Sequence, residues 1–399
     1  MLFGEMFSFP FRLPCDNASM VKRVYLGRLT SLRFFAALVV VLNHITFTMA
    51  PIKGVSSLMG VGTVGVGFFF ALSGFILTWS RRPADTAAEF YRRRFARIYP
   101  LHFATFLIAV PVLLFVGIGF SLPEAIANVF VVQSWLPDSN VYFGMNTPSW
   151  SLSCEAFFYL LFPFVIPFIQ RVKAKWAGIF CLVTVLANLL IAVVVTHLST
   201  VTTHIAGGGE PARFFLYVFP PYRMIGFLAG CLLAHWMSHG VRFRQPTLFA
   251  IVLAGSAYLA IFEAQKLIGG FGYGVEDALF LPFLLYLIAA AVTADLANKP
   301  GPLQSRPLLR LGEWSFALYL THWLLMTVVQ RMFPELHDAT LAIRITADIA
   351  FIVVAIGISA LTYYCVERPL EKRLRGAPPR PEMSVVETVA LPRGRRIPL

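Results

Sequence analysis

The 399-residue chain is 58% hydrophobic and 13% charged, and its mean hydropathy is +0.72. This composition excludes an ordinary soluble globular protein, in which about half of the residues are apolar. The formal net charge of +13 does not indicate nucleic-acid binding, because the basic residues lie in short segments between apolar runs. We therefore predict an integral membrane protein. Its five cysteines show no paired spacing, so neither a disulfide framework nor a bound metal is expected.

The chain begins with a segment, residues 1–30, that we predict to be cytoplasmic. Its first residues, MLFGEMFSFPFRLPCDNAS, lack the charged region, apolar region and small-residue cleavage site of a signal peptide. Met20, which precedes VKRVYLGR, is an alternative start to Met1.

Ten apolar runs follow, each long enough to cross about 30 Å of hydrocarbon as a helix. Each span must be helical, because an open strand would leave backbone polar groups unpaired in lipid. The predicted fold class is therefore an all-α integral membrane protein, a bundle of about ten transmembrane helices within a membrane domain of residues 31–370. The predicted spans are residues 31–50, 59–80, 99–119, 152–170, 177–198, 214–236, 247–265, 277–296, 312–333 and 342–366.

The distribution of Lys and Arg between the spans predicts the orientation of the bundle. The even-numbered connections carry RRPADTAAEFYRRRFAR, RVKAK and VRFRQ, and the odd-numbered ones hold almost no basic residue beyond Lys53 and Lys266. Because short cytoplasmic loops are enriched in Lys and Arg, both termini are predicted to be cytoplasmic. The basic, Pro-rich tail, residues 371–399, is predicted to be disordered.

The first span starts with SLRFFAALVVVLNHITF and carries two ionisable residues, Arg33 and His44. They are eleven positions apart, which in an α-helix is three turns plus about 20°, so both emerge on one stripe about 16 Å apart along the axis. Arg33 lies near the cytoplasmic edge, where snorkelling to lipid phosphate explains it as well as a function does. His44 lies deeper, where a functional role is favoured over a structural hydrogen bond.

The second span and the loop after it contain the next candidates. The Gly-rich run TVGVGFFFALSGFIL includes Ser73 and Gly74, which indicates close helix packing or, alternatively, a channel wall. In EFYRRRFARIYP, Arg94 and Arg97 are three positions apart and share a helical face. Such a fork suits bidentate phosphate binding, although ordinary positive-inside charge is the alternative.

The longest outside connection, residues 120–151, is predicted to form a short interfacial or re-entrant piece over the bundle. The stretch TPSWSLSCEAFFYLLFP then places Glu155 just inside the fourth span, which enters from the outer face. We therefore expect Glu155 at nearly the same depth as His44, where a carboxylate can orient an imidazole. The structural alternative is a carboxylate that is favoured by the dipole at the start of a helix.

Three further ionisable residues lie in the later spans. Arg223 in FPPYRMIGFLAG is near mid-membrane and is expected to pair with a carboxylate or to line a cavity. His322 in FALYLTHWLLM is also mid-span and is a possible cavity residue. Glu367 in VERPLEKRLR closes the last span and is expected to form an ion pair with a nearby arginine.

Taken together, these segments resemble the membrane-bound acyltransferase family 3, which includes bacterial O-antigen and exopolysaccharide O-acetyltransferases. The resemblance runs from about residue 28 to 370 and rests on the Arg-x10-His pair, FFFALSGF, the RxxR pair, WSLSCE, YRMIGFLAG, LYLTH and VERP, in that order. It implies transfer of an acyl group from cytoplasmic acyl-coenzyme A, with acetyl-CoA as the expected donor. The implied acceptor is a hydroxyl of a cell-surface or exported carbohydrate or glycolipid, and the implied location is the bacterial cytoplasmic (inner) membrane.

The resemblance also suggests roles for the candidate residues. Arg94 and Arg97 would hold the donor phosphates at the inner mouth of an aqueous passage, with the pantetheine arm running from Arg33 toward His44. His44, oriented by Glu155, would remove the proton from the acceptor hydroxyl, unless an acyl-histidine forms first. The remaining candidates for the oxyanion partner are Arg33, Ser73, Arg223 and backbone amides.

A transporter is the alternative hypothesis from another functional class. In it, the buried residues His44, Glu155, Arg223 and His322 would form a proton relay or a substrate site. No internal inverted repeat is visible in the sequence, and an RxxR pair at the cytoplasmic edge has no obvious role in transport. The acyltransferase hypothesis is therefore favoured.

Overall fold

The computed structural model describes residues 25–49, 52, 55–60, 64–81, 86–206, 212–268 and 274–376. These residues are helical throughout the bundle and contain no strand. Most of the predicted N-terminal segment, both candidate start residues and most of the predicted disordered tail lie outside the described residues.

The described residues form long helices that make up the bundle and short ones at its ends. They are α1 (Gly27–Thr48), α2 (Val55–Met59), α3 (Val64–Trp79), α4 (Ala87–Val116), α5 (Leu122–Val129), α6 (Ser139–Tyr142), α7 (Trp150–Arg171), α8 (Ala174–Ala206), α9 (Pro220–Ser238), α10 (Thr247–Ile268), α11 (Val275–Leu296), α12 (Arg306–Met332), α13 (Leu341–Thr362) and α14 (Arg368–Arg375). Each of the ten predicted spans overlaps one of the long helices.

Eight helical segments in the described part of the chain are long and apolar enough to cross a membrane. The helix α3 is strongly apolar but has only 16 residues. The helix α12 has 27 residues but carries charged side chains at its start, and it is not among the eight. The predicted all-α membrane fold is therefore confirmed, whereas the count of ten spans and the cytoplasmic location of both termini stay predictions.

The helix α4 begins twelve residues before the predicted third span, and a capping box explains why. The Thr86 hydroxyl accepts a hydrogen bond from the Glu89 backbone N–H, and the Glu89 carboxylate accepts one from the Thr86 N–H. This reciprocal pair satisfies two backbone donors at the helix start. As a result, Arg94 and Arg97 lie on a helix that continues into the bundle and not in a loop.

Two glycines permit the close crossing of α3 and α9. A Cβ atom on Gly74 would lie 2.0 Å from the Phe227 carbonyl oxygen, and one on Gly230 would lie 2.0 Å from the Ala71 carbonyl oxygen. The earlier residue of α3 (Ala71) meets the later residue of α9 (Gly230), and the later residue of α3 (Gly74) meets the earlier residue of α9 (Phe227). The two helices are therefore antiparallel at the crossing. Gly74 thus has the close-packing role that the Gly-rich sequence predicts.

The helices α1 and α12 run side by side in the same direction. Near their starts, a Cβ atom on Gly312 would lie 1.9 Å from the Thr30 carbonyl oxygen. Further along both helices, the ring of His44 meets the ring of His322. The face of α1 that carries Arg33 and His44 is therefore directed toward α12.

The connection before α7 enters the bundle, as the sequence predicts for residues 120–151. The Asn146 amide donates a 2.9 Å hydrogen bond to the Leu320 carbonyl oxygen, and the Tyr319 hydroxyl donates a 3.1 Å hydrogen bond to the Pro148 carbonyl oxygen. The start of α7 is consequently held against the middle of α12.

Candidate active site

A cavity of about 180 Å³ lies between α1, α3, α4, α7 and α12. Most of its wall is apolar or aromatic, and all five of these helices also contribute ionisable or hydroxyl side chains to it. Five of the residues that the sequence singles out line it together: Arg33, Ser73, Arg94, Arg97 and Glu155. We call this space the arginine cavity.

The charges in the arginine cavity are predominantly positive, with three guanidinium groups and one carboxylate. The Tyr159 hydroxyl donates a 3.0 Å hydrogen bond to the Glu155 carboxylate and accepts one from the Ser73 hydroxyl at 3.4 Å. Because Arg97 is also paired with Glu367 and Glu371, the cationic groups that this apolar-walled cavity offers to an anionic ligand are those of Arg33 and Arg94. The sequence did not point to Tyr159, because one tyrosine in an aromatic-rich span carries no distinguishing signal.

Arg94 and Arg97 have different partners. The Arg97 guanidinium lies 2.7 Å from the Glu367 carboxylate and 2.9 Å from the Glu371 carboxylate, so it ties α4 to the end of the last span and to α14. Arg94 packs 5.8 Å from the centre of the Tyr159 ring, and its Nε has no hydrogen-bond partner among the described residues. The expected ion pair of Glu367 is confirmed, and Arg97 is its partner.

His44 and His322 form a hydrogen-bonded pair outside the arginine cavity. Nδ1 of His44 lies 2.8 Å from Nε2 of His322, and the two rings are nearly parallel, with 5.1 Å between their centres. The His44 ring also packs against the Trp323 ring, with the two ring planes nearly perpendicular. The sequence suggested His322 as a possible cavity residue. In the structure its side chain is fully buried beside His44, and it does not line the arginine cavity.

Glu155 lies deeper than the sequence predicts. It shares the arginine cavity with Arg33, which precedes His44 by eleven positions on α1, so the expected equal depth of Glu155 and His44 is not observed. The physical reason is the re-entrant connection, because α7 starts within the bundle beside Tyr319 and not at the outer surface. The ring partner of His44 is therefore His322, and the hydroxyl partner of Glu155 is Tyr159.

Arg223 is a buried structural cation. Its guanidinium donates a 2.7 Å hydrogen bond to Asp277 and a 2.6 Å hydrogen bond to the Tyr217 carbonyl oxygen. Of the two predicted possibilities, pairing with a carboxylate is confirmed, and Arg223 does not line the arginine cavity. A partner 54 positions away could not be identified from the sequence alone.

Two aromatic rings lie between the arginine cavity and the histidine pair. Phe69 and Tyr319 both line the cavity and contact each other with their ring centres 5.9 Å apart. The Tyr319 ring centre is also 6.3 Å from that of His322. In this structure these two rings separate the arginine cavity from the histidine pair, and the predicted passage to His44 stays a prediction.

The comparisons with known proteins agree with this architecture. Residues 26–364 match the family model of the acyltransferase domain. The chain belongs to this acyltransferase family. With the helices described above, it is a multi-pass membrane protein and an acyltransferase that acts on groups other than aminoacyl groups.

Several relatives of this acyltransferase are similar over most of its length. Acyltransferase MdmB of Streptomyces mycarofaciens is 34% identical, over 88% of this chain and 93% of the relative. Peptidoglycan O-acetyltransferase OatA of Listeria monocytogenes is 27% identical over 88% and 56%, and O-acetyltransferase OatA of Staphylococcus aureus is 24% identical over 88% and 58%. The chain therefore spans little more than half the length of these two OatA proteins. No solved structure matches the acyltransferase.

The different partners of Arg94 and Arg97 predict different defects in the acyltransferase. The variant Arg94→Gln removes a guanidinium that can bind a ligand anion, so we expect KM for an anionic acyl donor to rise about 10- to 100-fold, the equivalent of one charged hydrogen bond, with little loss of stability. The variant Arg97→Gln leaves the buried Glu367 without its cation, so we expect the free energy of unfolding to fall by about 3 kcal/mol.

Steady-state kinetics and thermal unfolding of the two purified variants in one detergent will measure this difference. Adding Glu367→Gln to Arg97→Gln should recover most of the lost stability, because the unpaired carboxylate is then neutral. If both single variants show the same kinetic defect with unchanged stability, the distinction between the two arginines is wrong.

Proposed function

We propose that this membrane acyltransferase transfers an acetyl group from cytoplasmic acetyl-CoA to a hydroxyl of a cell-surface or exported carbohydrate or glycolipid. The observation that carries the proposal is the arginine cavity, because its cationic groups and largely uncharged walls suit a donor with an anionic end and a slender uncharged arm. The names of the OatA relatives support an acetyl group and an oxygen acceptor. We place the enzyme in the bacterial cytoplasmic membrane, where donor and exported acceptor can meet.

In this proposal the arginines bind and orient the donor. Arg94 donates hydrogen bonds to phosphate oxygens at the end of the cavity that the sequence predicts to be cytoplasmic. Arg97, already held by Glu367 and Glu371, contributes positive charge and fixes the position of α4. Arg33 lies on the face of α1 that leads to His44, and Glu155 limits the net positive charge in the cavity.

His44 is the proposed general base. It takes the proton from the acceptor hydroxyl while the hydroxyl oxygen attacks the thioester carbonyl carbon. The carbon–sulfur bond then breaks, and the coenzyme A thiolate leaves and takes up the proton. Attack by His44 itself, followed by transfer from an acyl-histidine to the acceptor, uses the same residue and remains the alternative order. In both orders the thioester must pass Phe69 and Tyr319 to reach the ring of His44.

Acyl transfer in reconstituted vesicles tests the proposal. Purified protein is incubated with acetyl-CoA labelled in the acetyl group, with and without a glycan or glycolipid fraction from the host envelope. We expect release of the coenzyme A thiol and appearance of label in the acceptor or on the protein, and protein-free vesicles serve as the control. If the folded protein neither binds nor consumes acetyl-, propionyl- or succinyl-CoA, the assignment of the donor is wrong.

A further inference from the structure

The histidine pair is anchored at one end by a backbone carbonyl group. Nδ1 of His322 lies 3.0 Å from the Leu318 carbonyl oxygen, and Nε2 of His322 lies 2.8 Å from Nδ1 of His44. A carbonyl oxygen can only accept a hydrogen bond, so Nδ1 of His322 carries the hydrogen. In the neutral ring Nε2 of His322 is then an acceptor, and Nδ1 of His44 must be the donor.

This sequence of hydrogen bonds fixes the tautomer of His44. Because Nδ1 carries the hydrogen, Nε2 is the nitrogen with the lone pair and is the atom that can take up a proton. The anchor is rigid, since Leu318 and His322 are one turn apart on α12 and both are buried. The neighbouring Trp323, whose ring centre is 4.9 Å from that of His44, limits rotation of the His44 ring.

The position of α12 relative to α1 is also well defined. The close approach of Gly312 to the Thr30 backbone sets the distance between the two helices well before the histidine pair. The apolar side chains around the pair include Ile45, Leu318 and Met326, all of them buried. His44 therefore meets its partner within a packed helix interface and not on a loop.

We propose that His322 is a positioning residue for the transfer reaction: its Nε2 holds His44 in the Nδ1–H tautomer and stabilises the imidazolium that forms during transfer. The inference rests on the proposed function of His44 as the base. The proton moves from the acceptor hydroxyl oxygen to Nε2 of His44 and then to the leaving thiolate. The Nδ1–H of His44 stays bonded to His322 throughout, and His322 itself changes neither its protonation nor its bonds.

An uncharged hydrogen-bond acceptor for Nδ1 of His44 suits this depth of the bundle. Many general-base histidines are oriented by a carboxylate, which also stabilises the imidazolium. An ionised carboxylate behind His44 would be a buried charge without a cation, which is costly in an apolar interface. An imidazole that is already polarised by the Leu318 carbonyl group accepts the same hydrogen bond without that cost.

Two substitutions at His322 separate positioning from packing. In His322→Gln the side-chain oxygen lies the same number of bonds from Cα as Nε2 of histidine, so it can accept from Nδ1 of His44. In His322→Leu the side chain has no hydrogen-bond acceptor for Nδ1 of His44. We expect kcat to fall at least 100-fold in His322→Leu with KM for acetyl-CoA changed less than about threefold, and His322→Gln to regain at least a tenth of the wild-type kcat.

A matched control is available in α9. His235 is another buried histidine, and among the described residues its Nε2 bonds to the Val172 carbonyl oxygen, at the far end of the bundle from the pair. The variant His235→Leu makes the same chemical change away from the site, and we expect its kcat to stay within about twofold of wild type. An equal loss of kcat in His235→Leu and His322→Leu would show that packing alone is responsible and would overturn the proposal.

Nitrogen NMR of histidine-labelled protein gives a second readout, which does not depend on catalysis. In the wild type we expect a protonated Nδ1 and an unprotonated Nε2 for His44, assigned by loss of the signals in His44→Ala. In His322→Leu we expect a mixture of both tautomers.

The outcomes also distinguish this inference from the proposed function. Full activity of His44→Ala would refute the proposed base. An inactive His44→Ala together with a His322→Leu variant that keeps wild-type kcat and the same tautomer of His44 would refute only the positioning role of His322.

Discussion

Replacing His44 by alanine is expected to lower the rate of acyl transfer by about 1,000-fold, the middle of the range attributed to a general base. The donor should still bind with its normal affinity, because His44 does not line the arginine cavity in which the anionic groups are held. The expected pattern is therefore a large loss of kcat with a nearly constant dissociation constant for acetyl-CoA. Single-turnover transfer and equilibrium binding on the same preparation measure both quantities.

The control for this prediction is His235→Ala, which removes a buried histidine that does not contact the site. It should transfer the acyl group at close to the wild-type rate. A His44→Ala variant that keeps more than a tenth of the wild-type kcat would exclude His44 both as the base and as an acyl carrier.

The variant Gly74→Ala is expected to destabilise the protein severely, by about 3 kcal/mol, because the added Cβ would lie 2.0 Å from the Phe227 carbonyl oxygen. Backbone atoms of α9 cannot rotate away as a side chain can, so the two helices must separate. Separation would move Ser73 and Phe70 out of the wall of the arginine cavity, and activity should be lost with the fold. The yield of monodisperse protein and its melting temperature in detergent will show the effect.

Gly67 on the same helix provides the matched control. A Cβ atom there would meet only the Leu284 side chain at 3.7 Å, which is an ordinary contact. The variant Gly67→Ala should therefore be as stable as the wild type or slightly more stable, because alanine favours the helix. If Gly67→Ala and Gly74→Ala melt at the same temperature, the close crossing of α3 and α9 does not determine stability.

The architecture was largely predictable because long apolar runs have few structural solutions in a membrane. All ten predicted spans correspond to helices. The helix α4 extends furthest beyond its predicted span: it starts at Ala87, twelve residues before residue 99, because a hydropathy criterion excludes its arginines from the span. The capping pair of Thr86 and Glu89 was visible in the sequence and would have placed the helix start correctly.

Several residues of the candidate site could be predicted from the sequence, but the contacts between them could not. The cost of burying ionisable groups pointed to Arg33 and Glu155, and the three-residue spacing from Arg97 pointed to Arg94. The structure brings these residues into one cavity. The partnership of His44 with His322 was missed, because a depth counted from the membrane surface fails when a connection re-enters the bundle. The cavity tyrosines had no detectable signal among 13 tyrosines and 38 phenylalanines.

The contacts of α12 have a consequence for biosynthesis. His322 meets a residue 278 positions earlier in the chain, and Tyr319 fixes a carbonyl group 171 positions earlier. Neither contact can form until the ribosome has completed α12, long after α1 and α7 have been delivered to the bilayer. During most of translation His322 has not yet been made, so the histidine pair forms only when α12, one of the last helices to be made, inserts between those already in the membrane.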